Sequence, residues 1–526
     1  MENQKILKNL LINVKKPFYA VDNQDEIRLI TEESDFFINN FNQKSFSRIN
    51  AFIPAVTPET LGDEKFKKRH SIKYPYIAGA MANGITSAAI VKTMAENGMI
   101  GFFGAGGLSL EKIEENIIDL KNCLPGKPFG FNLIHSLGDQ DHEMATVKLY
   151  LKYNIKLISA SAFMRMTPAL VYYRVKGIHK NQNGKIIAPN NIIAKVSRVE
   201  IASQFFSPPP EKIVNILLEK GLITKLEAEL SQYIPMAQDL TAEADSGGHT
   251  DNRPALTLLP TMMILKNDFM EKFNYQEPLC VGFGGGISTP QSAAAAFLMG
   301  AAYILTGSIN QSCVEAGICE DVKKMLCQAQ QADVAMAPAA DMFEIGARVQ
   351  VLKRGTMFPV RAEKLYKFYQ SCNSFDEIDE KSKKEIEEKL LQTSYTDAWN
   401  STKGFLLKTG NMKEIEKAQN NPKHKMALVF RSYLGLSSKW AIQGDAKRKM
   451  DYQIWCGPAI GAFNQWTKGS FLENHENRKT AEIALNLLFG ACLSIRVSMS
   501  TTQGITPDTD VEIFKPKTKE EILNLI

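Results

Sequence analysis

Residues that bind metals or staple a fold are sparse and scattered in this chain. Its eight cysteines form no Cys-x-x-Cys pair, and no Cys/His group has zinc spacing, which excludes the usual structural metal sites. No uninterrupted apolar run reaches the ~18 residues of a membrane span, and Met1 to Lys16 lacks the apolar stretch of a secretory signal. There is no long basic block. A net charge of +5, 62 minus 57, gives nucleic-acid binding no compositional support. A Gly-x-Gly-x-x-Gly fingerprint is also missing, which argues against a dinucleotide held on a βαβ unit. No internal repeat or low-complexity tract is present. These absences lead us to expect a cytoplasmic protein with reduced cysteines and neither a membrane nor a nucleic acid as partner.

What is present is a rhythm. A chain of 526 residues suggests two to four domains, or one large barrel with additions. From about Tyr74 to Val314, short apolar strands alternate with amphipathic helices. The strands are read at Tyr76 to Ala80, Met99 to Phe103, Phe129 to Ile134, Leu157 to Ala160, Ile192 to Val196, Met236 to Ala244, Leu279 to Phe283 and Tyr303 to Thr306. Between the fourth and fifth, Val171 to Val175 and Lys185 to Ala188 flank the hairpin dipeptide Asn183-Gly184. Eight strands with intervening helices over about 240 residues match a (β/α)₈ TIM barrel, an α/β fold, with a doubly wound sheet as competitor. After about Gly355 the chain turns rich in Lys, Glu and Gln with helical periodicity, the mark of a helical insertion or cap domain. The expected divisions are an N-terminal extension (1–52), the barrel (53–355), the helical insertion (356–450) and a C-terminal segment returning to the barrel (451–526).

Three strand ends carry the chemistry. Strand six runs into Glu243-Ala244-Asp245-Ser246-Gly247-Gly248-His249. The glycines allow the backbone close to a planar ligand, and His249 places a group that titrates near neutrality beside it. His249 reads as the catalytic side chain or as a structural imidazole; Glu243 and Asp245 each read as its orienting carboxylate or as ordinary solvent-side acids. Strand seven runs into Gly284-Gly285-Gly286-Ile287-Ser288 and an alanine-rich helix, and strand eight into Gly307-Ser308. Two glycine turns ahead of helices after strands seven and eight offer N–H donors to a phosphate. Ala80 and Met81, after strand one, present backbone with little bulk. Asn132, a polar residue in an apolar strand, reads as a partner for a flat ring or as an amide tying two strands.

The segments Gly79 to Gly84, Phe129 to Asn132, Asp245 to Asp251, Gly282 to Ser288 and Leu305 to Ser308, in this order and spacing, resemble the flavin-dependent nitronate monooxygenase superfamily. Within it the chain is most similar to the PfaD-like trans-acting enoyl reductases of polyunsaturated fatty acid and polyketide synthases. The resemblance extends to Gly355-Thr356-Met357-Phe358-Pro359-Val360-Arg361-Ala362 and Trp455-Cys456-Gly457-Pro458, and so spans most of the chain from about Ile53. It implies FMN bound by Gly284, Gly285, Gly286, Gly307 and Ser308 at its phosphate. Ala80, Met81 and Asn132 would meet its ring, and Ser246, Gly247 and Gly248 its other edge. It also implies NADPH as reductant, an enoyl thioester on an acyl carrier protein as substrate, and His249 as the residue stabilising enolate charge. Residues 362–450 would cap the site or dock the carrier through lysines such as Lys364 and Lys367.

Two other readings stay open. A nitronate monooxygenase would use His249 to abstract a proton; Asp251, where that superfamily often has glycine, favours the PfaD-like branch. A scaffold within a megasynthase would bind no flavin. A homodimer is among the assemblies the sequence leaves open.

Overall fold

A computed structural model describes residues 2–23, 26–31, 49–135, 140–508 and 515–526. The chain divides into two compact units. The first comprises Met1–Ala244, Arg253–Ala316 and Gln465–Ile526; the second comprises Asp245–Asn252 and Gly317–Asn464.

The first unit is a closed barrel of eight parallel strands. In chain order these are strand one (Tyr76–Ala78), two (Ile100–Phe103), three (Gly130–Ile134), four (Leu157–Ser161), five (Asn191–Val196), six (Asp239–Glu243), seven (Cys280–Gly284) and eight (Ile304–Thr306). Each pairs with its neighbours, and strand eight closes on strand one through Ile304↔Tyr76. The TIM-barrel reading is borne out. Nearly every strand residue is buried, because parallel strands covered by helices have no wet face. The core is tightly filled: the Tyr303 ring stacks on Phe66 at 4.1 Å, and a Cβ on Gly282 would lie 2.3 Å from the Tyr303 ring. Only glycine fits at 282.

One end of the barrel is closed by ions. At the start of strand six, Asp239 is fully buried, bonded by Arg69 Nη1 and, at 2.8 Å, by His70 Nε2. Arg69 Nη2 also donates to Pro278 O at 2.7 Å. Burial alone would raise the Asp239 carboxyl, but the charges of Arg69 and His70 outweigh it and hold the group below its ordinary 3.8. A cleft lined by Arg69, Lys121 and Lys156 opens at this same end, among residues that precede strands. Such a face in a barrel serves stability.

The segment Val171 to Val175 is not a strand. It lies in the helix Pro168–Val175, capped by Thr167 with proline at its first turn. The hairpin is instead the short pair His179–Lys180 and Ile186–Ile187, where Gly184 takes φ 73° and the Asn181 side chain accepts from the Asn183 and Lys185 N–H groups. The helix Thr480–Thr502 is long and apolar enough to cross a membrane, which uninterrupted runs in the sequence did not flag. However, 83% of its apolar window is buried within the protein. It packs on the alanine-rich helix Pro290–Leu298. Its buried Arg496 donates to the carbonyls of Leu10, Leu11, Lys16 and Pro54, tying the N-terminal segment to the helix.

The second unit is helical around a small antiparallel sheet of Gly248–His249, Arg348–Leu352 and Val334–Pro338, in that order. Its core joins Val349 and Val351 to Phe358, Ala362 and Leu365 of the helix Phe358–Ser371, and to Phe430, Tyr433 and Leu434 of the helix Pro422–Gln443.

Candidate functional site

In the barrel unit, Ala80, Met81, Asn132, Gly284 to Gly286, Gly307 and Ser308 lie on strands or at their C-terminal ends. Strand eight lies between strands seven and one, so the turns after these three strands are neighbours. Gly79 N donates to Thr306 O at 2.9 Å, and Gly284 pairs with Leu305. The turn after strand eight is fixed from beneath: Asn310, wholly buried, donates to Thr306 Oγ1 at 2.9 Å, and Tyr76 OH meets the same oxygen at 2.5 Å.

Gly285 and Gly286 take φ 88° and 77°, conformations glycine adopts without cost. A Cβ on Gly286 or Gly307 would meet nothing within 4 Å, so both border open space. Among the described residues, the backbone N–H groups of Gly285, Gly286 and Gly307 make no hydrogen bond. The helix Pro290–Leu298 is different. Proline supplies no N–H at its first turn, and Thr289 and Ser292 cap each other's backbone. Ser292 Oγ also takes the Ser288 N–H at 3.0 Å. The donors left over include those of the glycine turns, Gly285, Gly286 and Gly307.

Asn132 is an amide that ties neighbouring loops together. It is 3% exposed; its Oδ1 accepts from Gly106 N at 3.1 Å, while its Nδ2 has no partner among the described residues. Gly106 O in turn accepts from Asn83 N at 2.7 Å, so Asn132 braces the loops after strands one and two. A residue the sequence reading missed, the buried Thr86, holds the Ala80-Met81 loop: it donates to Gly79 O at 2.8 Å and accepts from Met81 N at 2.9 Å. A cofactor with a phosphate at one end and a hydrogen-bond acceptor on a flat ring suits this donor set. Phosphate takes N–H donors, and the amide Nδ2 of Asn132 suits a ring carbonyl.

Ser246, Gly247, Gly248 and His249 belong to the second unit. Gly248 and His249 form an edge strand paired with Gln350 and Val349. His249 Nε2 lies 3.0 Å from Asp341 Oδ1, with the imidazole 46% exposed. Partial desolvation pushes the Asp341 carboxyl up, but the bond and charge of His249 outweigh it and hold it below its usual value. Asp341 is therefore a carboxylate at neutral pH, able only to accept, and Nε2 carries the hydrogen.

Both carboxylates offered by the sequence have partners of their own. Asp245 Oδ1 accepts from Asn252 Nδ2 at 2.7 Å and Gln350 Nε2 at 2.8 Å, which pins the loop. Glu243, in the barrel unit, pairs with Lys195 at 2.8 Å. Gly247 also has a reason the sequence did not disclose: a Cβ there would lie 2.6 Å from Cys456 Cα, so the Trp455-Cys456-Gly457 backbone requires it. Gly248 has φ 78° and no atom closer than 4.0 Å to its added Cβ, which keeps that face open.

Comparison with known proteins decides the family. The chain is 40% identical to the enoyl reductase domain of MlnA, from the macrolactin biosynthesis cluster of Bacillus amyloliquefaciens. That match covers 84% of this chain and 100% of the domain, with a TM-score of 0.81. The chain belongs to the PfaD-like enoyl reductases of polyketide and polyunsaturated fatty acid synthases. Other members of these systems resemble it over most of its length. Polyketide biosynthesis protein PksE of Bacillus subtilis is 46% identical over 456 residues, 86% of this chain. One of the polyunsaturated fatty acid synthase proteins of a Thraustochytrium species is 44% identical over 444 residues, 83% of this chain. The PfaD-like chain spans 59% of the length of the first and 30% of the second. Its residues 372–452 match the inserted helical domain of [acyl-carrier-protein] S-malonyltransferase.

Proposed function

We propose that the chain is an FMN-dependent enoyl reductase that uses NADPH and acts in trans on enoyl thioesters carried by an acyl carrier protein. The observation that supports this most is the 40% identity across the whole of an enoyl reductase domain. The three unpaired glycine N–H groups and the unpaired Asn132 Nδ2 support a phosphate-ended, flat-ringed cofactor. The helical segment supports a carrier-bound substrate, since its match is to a domain inserted in an enzyme named for the acyl carrier protein.

FMN, when bound, supplies hydride transfer from NADPH to the β-carbon of the enoyl thioester. The chain's residues would orient and polarise. Gly285, Gly286 and Gly307, with Gly284 and Ser308 beside them, hold the phosphate; Ala80, Met81 and Asn132 hold the ring, braced by Thr86 and Gly106. Ser246, Gly247 and Gly248 shape the other edge. His249, whose Nε2 meets Asp341, would be the residue that polarises the substrate. In its protonated form it donates to the thioester oxygen, where negative charge gathers as hydride arrives.

The test is direct. The purified protein should be yellow, release FMN on denaturation, and consume NADPH with an enoyl thioester. Colourless protein, FAD as the released cofactor, or oxygen uptake with an alkyl nitronate in place of thioester reduction would each overturn a stated part of this reading.

A further inference from the structure

Charge is divided unevenly along the helical segment. Residues 372–394 hold four Lys and seven Asp or Glu, whereas residues 395–443 hold eight Lys or Arg and three Asp or Glu, a net +5. The basic stretch is a three-helix lobe, Tyr395–Lys408, Met412–Asn420 and Pro422–Gln443. It has a small core of its own, Leu406, Ile415, Ala418 and Leu428, with Trp399 against it.

Lys364, Lys383 and Lys384, in the acidic stretch and its neighbour, are engaged in ion pairs. Lys364, one of the two named from the sequence, is tied to Glu385 at 2.7 Å, and Lys383 to Glu380 at 2.8 Å. On the lobe, Lys403, Lys408, Lys413, Lys417 and Lys439 make no ion pair among the described residues. Two of them frame an apolar patch. Phe405 is 56% exposed and Leu436 38%, and Lys439 Nζ sits 5.5 Å from the Phe405 ring centre, joining the first helix to the third. Helical spacing sets Lys408 beside Phe405 and Lys439 beside Leu436.

Two glycines sharpen the point. Gly404 and Gly435 lie inside these same helices, and a Cβ on either would meet nothing within 4 Å. Glycine is the poorest helix former after proline, and no packing within the chain calls for it here. It leaves a hollow beside Phe405 and another beside Leu436, where a partner's backbone can come close.

We propose that Gly404, Phe405, Lys408, Gly435, Leu436 and Lys439 form the docking surface for an acidic helix of the carrier protein that delivers the enoyl thioester. This rests on the carrier-bound substrate of the function proposed above. The apolar pair forms the centre, the lysines steer and register the carrier, and the attraction weakens with salt.

The test compares crotonyl loaded on an acidic acyl carrier domain with crotonyl-pantetheine, both assayed with the full-length, cofactor-loaded protein at low salt. Lys408→Glu with Lys439→Glu should raise the KM for the carrier-bound substrate about tenfold or more, with crotonyl-pantetheine turnover within about twofold. Gly404→Ala with Gly435→Ala keeps every charge and should raise the melting temperature while weakening carrier binding in titration calorimetry, an opposition that a merely structural role does not produce. An unchanged KM and unchanged carrier affinity in both variants would overturn the docking surface while leaving the reductase reading intact. So would a charge-reversal effect confined to self-association in sedimentation. If the wild-type protein reduces neither substrate, the reductase reading falls, and the docking proposal with it.

Discussion

His249 Nε2 and Asp341 Oδ1 stand 3.0 Å apart, though 92 residues separate them in the chain. The antiparallel sheet makes the meeting: Gly248–His249 pairs with the strand Arg348–Leu352, whose other neighbour, Val334–Pro338, ends three residues before Asp341. A carboxylate that accepts from one ring nitrogen dictates what the other can do.

Asp341→Ala should therefore slow enoyl reduction while leaving cofactor content unchanged. A hydrogen-bonded ion pair this exposed is worth about 0.2–1 kcal/mol, so a loss of a few-fold in rate is expected. The wild-type pH profile provides the check. An imidazolium that donates to the thioester oxygen makes enoyl reduction fall as pH rises past the range where a histidine loses its proton. An imidazole acting as a proton-abstracting base gives the opposite slope. Loss of the profile's dependence on this ring in Asp341→Ala distinguishes positioning from mere support of the loop.

Gly286→Asp should yield colourless protein, since it sets a carboxylate where the turn offers its N–H groups to a phosphate. Because φ at Gly286 is 77°, Gly286→Ala serves as the control for backbone strain. A Cβ alone meets nothing within 4 Å, so alanine should retain much of the cofactor. Absorbance per mole of purified protein separates the two, and equal loss in both would point to strain instead of charge.

The ionic closure of the barrel predicts acid sensitivity. Asp239 is lowered in the folded protein, so its contribution is complete above its ordinary value of 3.8 and is lost as pH falls through the lower folded value. Asp239→Asn should flatten that acid limb. It also leaves Arg69 without its buried counter-charge, a loss typically of about 3–5 kcal/mol. Denaturant unfolding at neutral and acid pH measures both effects.

The barrel was legible because strands buried on both faces read as short, mostly apolar runs, and strands one, two, seven and eight run into glycine. All eight were placed within a few residues at each end. Val171 to Val175 misled because valine and tyrosine favour strands, although Thr167-Pro168 just before them is a helix-start signal. Asp341 could not be found by spacing, since only a long-range sheet brings it to His249. The need for glycine at 247 likewise lies 209 residues away, in the backbone of Cys456. The hairpin strand Arg348–Leu352 did carry a readable signal, the alternation Val349-Gln350-Val351. Thr86 carried none, being one threonine among many until the fold sets it under the Ala80-Met81 loop.

The most direct test follows the two half-reactions separately in an anaerobic stopped-flow instrument. NADPH should bleach the absorbance of the bound cofactor, and a crotonyl thioester should restore it without oxygen. His249→Ala should slow the second phase on the order of 10²–10³ while slowing the first much less. Failure of the thioester to restore the colour, with recovery only on adding oxygen, would contradict an enoyl reductase. Equal slowing of both phases in His249→Ala would contradict the role given to its imidazole.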